Sequence, residues 1–302
     1  MSDDVSEWAG PTIEVLKRHL ESEPKVETPE ELARAVEQGI NKASLDQRTI
    51  VWSGMLGKQV LYPHPSGVSY WVRLGDGISM NVIRSDRDDS ATMFVLSHLT
   101  KGGTFFDVGA NTGWFALRAA ARYRELGGGE VHAFEPQPVM FDLITRSIEQ
   151  NQLGDFVALH GIALGNEEST VWMTTPAFNS GGSLVRFKEV KDSAEVPLRR
   201  FDSLGLAPEK VDMMKVDIEG SEPFFVEGAA DFIKRYRPVI YSELHPRKLQ
   251  WVANRSRADY LDQMEALGYR TLALGSAGKT VPFDRSELET NSRLLDVVFQ
   301  PE

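Results

Sequence analysis

Polar residues of the types and spacing that chemistry requires gather at four places in this chain. The first is Asp107-Val108-Gly109-Ala110-Asn111-Thr112-Gly113, directly after the apolar run 104–108. Its two glycines let backbone approach a ligand closely, and a helix beginning near Thr112 offers free N–H groups to a carboxylate. Asp107, at the end of the run, is placed to accept from an ammonium. The second is Glu135, which follows the run 131–134; an acidic side chain there takes both hydroxyls of a ribose. The third and fourth are Asp217 with Glu219, and Glu243 with His245. Each pair shares one side if the extended backbone before it continues.

The first loop argues against two common nucleotide sites. A dinucleotide fingerprint, Gly-x-Gly-x-x-Gly, needs its middle glycine to admit a pyrophosphate, and Asn111 stands there. A phosphate loop needs Gly-Lys-Ser/Thr, and none follows. An amino acid joined to a nucleoside suits the loop better, and that describes S-adenosylmethionine. Methyl transfer from a sulfonium is an in-line displacement, so the first task is to bring nucleophile and methyl within ~3 to 3.5 Å. A hydroxyl acceptor also needs a base or a metal, whereas a carboxylate acceptor needs neither. His245 is the first choice of base, because imidazole titrates near ~6.5. Glu219 would orient it or bind substrate, with Asp217 in the same cleft. In the plainer reading, Asp217 and Glu243 cap or bridge elements and His245, followed by Pro246, marks a turn. Carboxylates with imidazole also suit magnesium or manganese, but the spacing does not require an ion, and no metal ligand is assigned. Lys215, inside an apolar run, needs a partner, with Asp107 or Glu135 within reach on neighbouring strands. His160 either edges the adenine or is structural, and Trp114 could face the pocket.

These positions make sense only if strands and helices alternate. After Gly102-Gly103, short apolar runs at 104–108, 131–134, 156–159, 211–216 and 239–244 are separated by helical patterns, which is the signature of βαβ units and a parallel sheet. One helix, with Phe115, Ala119 and Ala120 on its apolar side, ends at Gly127-Gly128-Gly129; a second starts at Pro138 and repeats Phe141, Ile144 and Ile148. Ser221 opens a third, carrying Phe225, Ala229, Phe232 and Tyr236. Runs at 269–274 and 294–299 supply closing strands. The stretch 169–196 breaks into β-like pieces around Asn179-Ser180-Gly181-Gly182-Ser183 and is too long for a tight connection, so it is expected to touch substrate. The expected fold is therefore α/β, a Rossmann-like doubly wound and mostly parallel sheet. Residues 1–50 read as a helical extension, with Leu32, Val36 and Ile40 spaced by four, serving as a lid or a homodimer contact. Residues 51–100 read as a small β layer in which 60–62, 70–72 and 78–83 are strands, and 101–302 form the main domain.

Composition narrows the partners. The chain has 302 residues, 41% apolar and 25% charged, which can build a buried core, and it has no cysteine. That excludes disulfides, thiolate metal sites and a cysteine nucleophile. A formal charge of −11 repels phosphate on average and disfavours nucleic acid as a partner. No apolar stretch reaches the ~18 to 20 residues of a membrane span, and Asp3, Asp4 and Glu7 stand where a signal peptide carries positive charge. The expectation is a soluble cytoplasmic protein acting on a small molecule.

Four segments in order, Asp107-Val108-Gly109-Ala110-Asn111-Thr112-Gly113, Phe134-Glu135-Pro136, Ala163-Leu164-Gly165 and Lys215-Val216-Asp217-Ile218-Glu219-Gly220, resemble successive motifs of the FkbM-type methyltransferases, a branch of the class I S-adenosylmethionine-dependent enzymes. The resemblance covers about 104–244. It implies a seven-stranded sheet whose last strand is antiparallel, and O-methylation of a sugar, polyketide or other natural-product hydroxyl. It also implies that Asp107, Gly109, Asn111, Thr112 and Gly113 cradle the methionine end, that Glu135 with Pro136 takes the ribose, that Ile162 and Ala163 border the adenine, and that Asp217 lies at the donor. The sequence departs from the family at Thr112, Trp114 and Phe201, which bears on the substrate side. Carboxylate O-methylation, a non-catalytic binding module and a nicotinamide-dependent oxidoreductase are the competing readings.

Overall fold

The computed structural model describes residues 57–302, apart from 86–87, 175–179, 183, 187–188, 190–192, 287 and 289–292. The helix read at 30–40, and with it the lid or dimer contact, lies outside the described residues.

A hairpin, β1 (Gln59–Pro63) and β2 (Ser69–Arg73), comes first, followed by α1 (Gly77–Arg84) and α2 (Ser90–His98). The strand expected over 78–83 is thus a helix. Ile78, Met80 and Val82 alternate as in a strand, but Asp76 accepts the backbone N–H of Ser79 at 2.8 Å, and an N-cap of this kind commits the next turn to helix. Asp89 caps α2 in the same way through the Thr92 N–H.

Then come β3 (Thr104–Val108), α3 (Trp114–Leu126), β4 (Glu130–Phe134), α4 (Pro138–Asn151) and β5 (Val157–His160). Next are β6 (Ala163–Gly165), β7 (Ser169–Thr174), β8 (Leu184–Arg186) and β9 (Ser193–Arg200). The second half holds β10 (Val211–Val216), α5 (Glu222–Gly228), α6 (Ala230–Tyr236) and β11 (Val239–Leu244). It closes with α7 (Lys248–Ala253), α8 (Arg257–Ala266), β12 (Tyr269–Leu274), β13 (Thr280–Pro282) and β14 (Leu295–Pro301). The helix read from Ser221 to Tyr236 is two helices that break at Ala229.

The main sheet runs β13-β12-β14-β11-β10-β3-β4-β5. Strands β5, β4, β3, β10 and β11 are parallel, and β14 is wedged antiparallel between β11 and β12. Seven of these strands match the expected class I arrangement, and β13 adds a short eighth at the edge. Strand order reverses between β3 and β10, and that switch point is where an open parallel sheet presents a crevice beyond its strand ends. Both faces are covered, which is why β3 is buried at every residue. Phe105, Met213 and Tyr241 point into a core with α2, α3, α4 and the hairpin; Phe106, Met214 and Ile240 point into the other, with α5, α6 and α8. The stretch 169–196 is not a free loop: β7 and β9 pair antiparallel in a second sheet, β6-β9-β7-β8.

Candidate functional site

The crevice at the switch point is a cavity whose floor is the loop after β3. Gly109 and Ala110 both donate to the Phe134 carbonyl at 3.0 Å, which ties this loop to the end of β4. Gly109 has φ +86°, and a Cβ on it would lie 2.0 Å from the Asp217 carbonyl oxygen. A Cβ on Gly113, φ +77°, would press on Ile144 and Leu117. The glycines therefore let the loops of β3 and β10 touch each other and let α3 start. Asn111 is held left-handed at φ +51°, a conformation Asn tolerates better than most residues.

Glu135 lines the cavity and is almost fully buried. One oxygen accepts the Asn111 N–H at 2.7 Å and the other the Gln137 N–H at 2.9 Å. Burial raises its carboxyl to about 7 despite those bonds. Each oxygen keeps a second lone pair, so the group remains a two-point acceptor for a diol. Pro136, Ile162 and Ala163 line the same wall with Phe134 and Met173. Thr112 also lines it, and its buried hydroxyl has no hydrogen-bond partner among the described residues, an orphan that a bound ligand would satisfy.

Asp107 sits behind the loop. It is fully buried, accepts the Ala116 N–H at 3.0 Å and lies 3.4 Å from Lys215 Nζ. Burial raises its carboxyl, against the pull of Lys215. Its reach is therefore to α3 and Lys215 rather than outward to a ligand ammonium. Lys215 donates to the Gly109 carbonyl at 2.7 Å and stands 3.6 Å from Asp217. Burial alone would depress its ammonium, but Asp107, Asp217 and Glu243 keep it raised. The partner that the sequence required is thus Asp107, its register neighbour on β3.

Asp217, Glu219 and Glu243 also line the cavity, so three of the four polar residues read at the ends of β10 and β11 meet there, although the extended backbone stops at Val216. Glu219, at φ +60°, forms an ion pair with Lys248. Glu243 is paired across strands with Asp296. Burial first, then Asp217 and Asp296, push its carboxyl up to about 8. His245 is not among the lining residues. Its Nδ1 accepts the backbone N–H groups of Arg247 and Lys248 at 3.2 Å, which fixes the neutral ring as the Nε2–H tautomer. Burial and Arg247 lower its pKa.

His160 and His132 are stacked 3.0 Å apart at their nitrogens, between Phe134, Phe106 and Glu130; they pack the sheet. Trp114 does line the cavity, with Nε1 bonded to Thr92. Ser180 falls in the stretch read as touching substrate, and it lines the cavity; sequence reasoning missed Gln137 and Glu222. Glu222 is buried and accepts the N–H groups of Ile218 and Gly220, holding the turn after β10, and burial raises it to about 7. An acidic residue at the first helical turn was the available signal; nothing local marks Gln137. Among the described residues no group of three or more His, Asp or Glu could hold a metal ion.

The methyltransferase FkbM domain profile matches residues 107–271. Two curated relatives are Methyltransferase 1 of Beauveria bassiana, 26% identical over 147 residues, and Methyltransferase sdnD of Sordaria araneosa, 26% identical over 167 residues. These matches take in 41% and 44% of this chain, and 57% and 62% of the relatives' lengths. The chain thus spans about three fifths of the curated relatives it matches. Among solved structures, methyltransferase FkbM from Methylobacillus flagellatus aligns with a TM-score of 0.44 and 16% identity, over 67% of this chain and 44% of that one. With the domain match extending over more than half of its 302 residues, the chain belongs to the FkbM-type family of class I S-adenosylmethionine-dependent methyltransferases.

Proposed function

We propose that this enzyme methylates a hydroxyl oxygen of a small molecule, with Glu243 as the general base. The observation that carries the reading is a cavity-lining carboxylate at the end of β11 that holds its proton to about pH 8, across the cleft from the donor loop. A base poised near working pH is what a hydroxyl acceptor needs.

S-adenosylmethionine, when bound, supplies an electrophilic methyl group. Glu135 would accept the ribose hydroxyls, Thr112 would engage the methionine end through its free hydroxyl, and Ile162, Ala163 and Phe134 would flank the adenine. Asp107, Asn111 and Gly113 act by shaping the loop, and Lys215 by fastening it to β10. Asp217 and Glu219 flank the acceptor, and Glu243 takes the hydroxyl proton onto its carboxylate. The tautomer that backbone imposes on His245 leaves Nε2 a donor, so His245 orients the chain entering α7 and does not take the proton.

A carboxylate acceptor fits less well. Asp217 would repel it and a protonated Glu243 offers it no charge, while Lys215 and Lys248 are already engaged by carboxylates. The formal charge of −11 also supports a small-molecule acceptor over nucleic acid. The test is incubation with methyl-labelled S-adenosylmethionine and a panel of sugars, polyketide alcohols and carboxylic acids. Label in an alkali-stable ether is the expected result. Label released by mild alkali points to an ester and a carboxylate acceptor, and donor binding without transfer to any acceptor points to a binding module.

A further inference from the structure

The matched domain begins at Asp107, yet one residue well before it reaches the donor loop. Asp76, almost fully buried, caps α1 through the Ser79 N–H. The same carboxylate accepts the Ser180 N–H at 2.5 Å and the Ser180 hydroxyl at 3.0 Å. Ser180 lines the cavity, and its Oγ lies 2.9 Å from the Asn111 side-chain oxygen, while its carbonyl accepts from Gln137 Nε2 at 3.3 Å. Asn111 and Gln137 are the two residues whose N–H groups hold Glu135.

A hydroxyl carries one proton and cannot donate fully to both Asp76 and Asn111. The amide of Asn111 turned end for end resolves this, since Nδ2–H then donates to Ser180 Oγ while Ser180 donates to Asp76. The result is one directed chain from the left-handed residue of the donor loop to a buried carboxylate before the domain. A carboxylate accepting three hydrogen bonds makes a stiff anchor.

We propose that Asp76 is a positioning residue for the donor site, fixing the Asn111 side chain through Ser180 and so setting the orientation of Glu135. This rests on the reading that S-adenosylmethionine occupies this cavity. The helix-capping role shared by Asp76 and Asp89 provides a control, because Asp76 bonds to Ser180 and through it to the donor loop, whereas Asp89 reaches only Trp114, by way of Thr92.

The experiment is calorimetric titration of the full chain with S-adenosylhomocysteine, alongside thermal melts, for wild type, D76A, D76N, S180A and D89A. Loss of a buried bond to a charged group predicts about tenfold weaker binding in D76A. S180A keeps the backbone bond to Asp76 and loses only the hydroxyl link, which predicts about fivefold weaker binding with little change in Tm. D89A should lose Tm and keep wild-type affinity. Should D76A not fold, D76N and S180A carry the comparison. Wild-type affinity in S180A and D76N overturns the proposal, as does an equal loss in D89A. A wild-type protein that gives no heat overturns the reading of the cavity itself, a result distinct from normal binding in every variant.

Discussion

At the scale of single residues, the division of labour at the ends of β10 and β11 follows from which groups are desolvated and which are tied to backbone. Glu243 faces Asp296 across strands and Asp217 from the next strand, so it releases a proton only as pH approaches about 8. Turnover should therefore rise with pH through that region. Glu243→Gln should lower kcat by about 10² to 10⁴ and flatten the rise, measured as kcat against pH. His245→Ala should keep the rise, because its Nδ1 serves backbone N–H groups; a profile that flattens in this variant instead would return the role to His245. The sequence made the cleft legible only in part: Asp217, Glu219 and Glu243 share the cavity, but β10 ends at Val216 and Glu219 is brought there by a left-handed turn rather than by strand alternation. It could not distinguish His245 from Glu243, since a tautomer and a raised carboxyl depend on neighbours that local spacing does not reveal.

At the scale of elements, the donor site is a contact between two loops more than a property of either. Gly109 is where they touch, 2.0 Å being the distance from an added Cβ to the Asp217 carbonyl. Gly109→Ala should force the loops apart, adding left-handed strain to the clash, and should lower stability by about 2 kcal/mol or more with loss of S-adenosylhomocysteine binding. Denaturant melts and calorimetry on the variant check both. Gly113→Ala meets only flexible side chains at 3.3 Å and should be milder. The βαβ rhythm from β3 to β11 was legible because buried parallel strands and amphipathic helices leave different periods in the sequence. Helix α1 was not, because its apolar residues alternate by two and only the Asp76 cap betrays it. Likewise β7 and β9 read as pieces of a loop because the sheet they form is closed by pairing between residues 19 to 29 positions apart.

At the scale of the whole molecule, several carboxyls that the fold has desolvated set a pH dependence of stability. Glu135 and Glu222 are raised from 4.5 to about 7, and Glu243 from 4.5 to about 8. Each is protonated more readily in the folded chain than in the unfolded one. Their stabilising contribution is complete below about 4.5 and is lost as pH rises through 7 to 8. Tm should therefore fall across this window, by a few degrees, in differential scanning calorimetry at constant ionic strength. Glu222→Gln should reduce the slope, and an unchanged Tm from pH 5 to 8, about the window named, would contradict the assignment.

The placement of β14 between β11 and β12 has a consequence for folding. Until residues 295–301 dock, β11 and β12 each present an unpaired border, with Val298 absent from one core and Val297 and Phe299 from the other. Open borders of this kind invite pairing with other chains. The folding chain must therefore hold a nearly finished sheet ajar until this ribbon slides in, which makes the undocked intermediate the stage at which chaperone protection matters most.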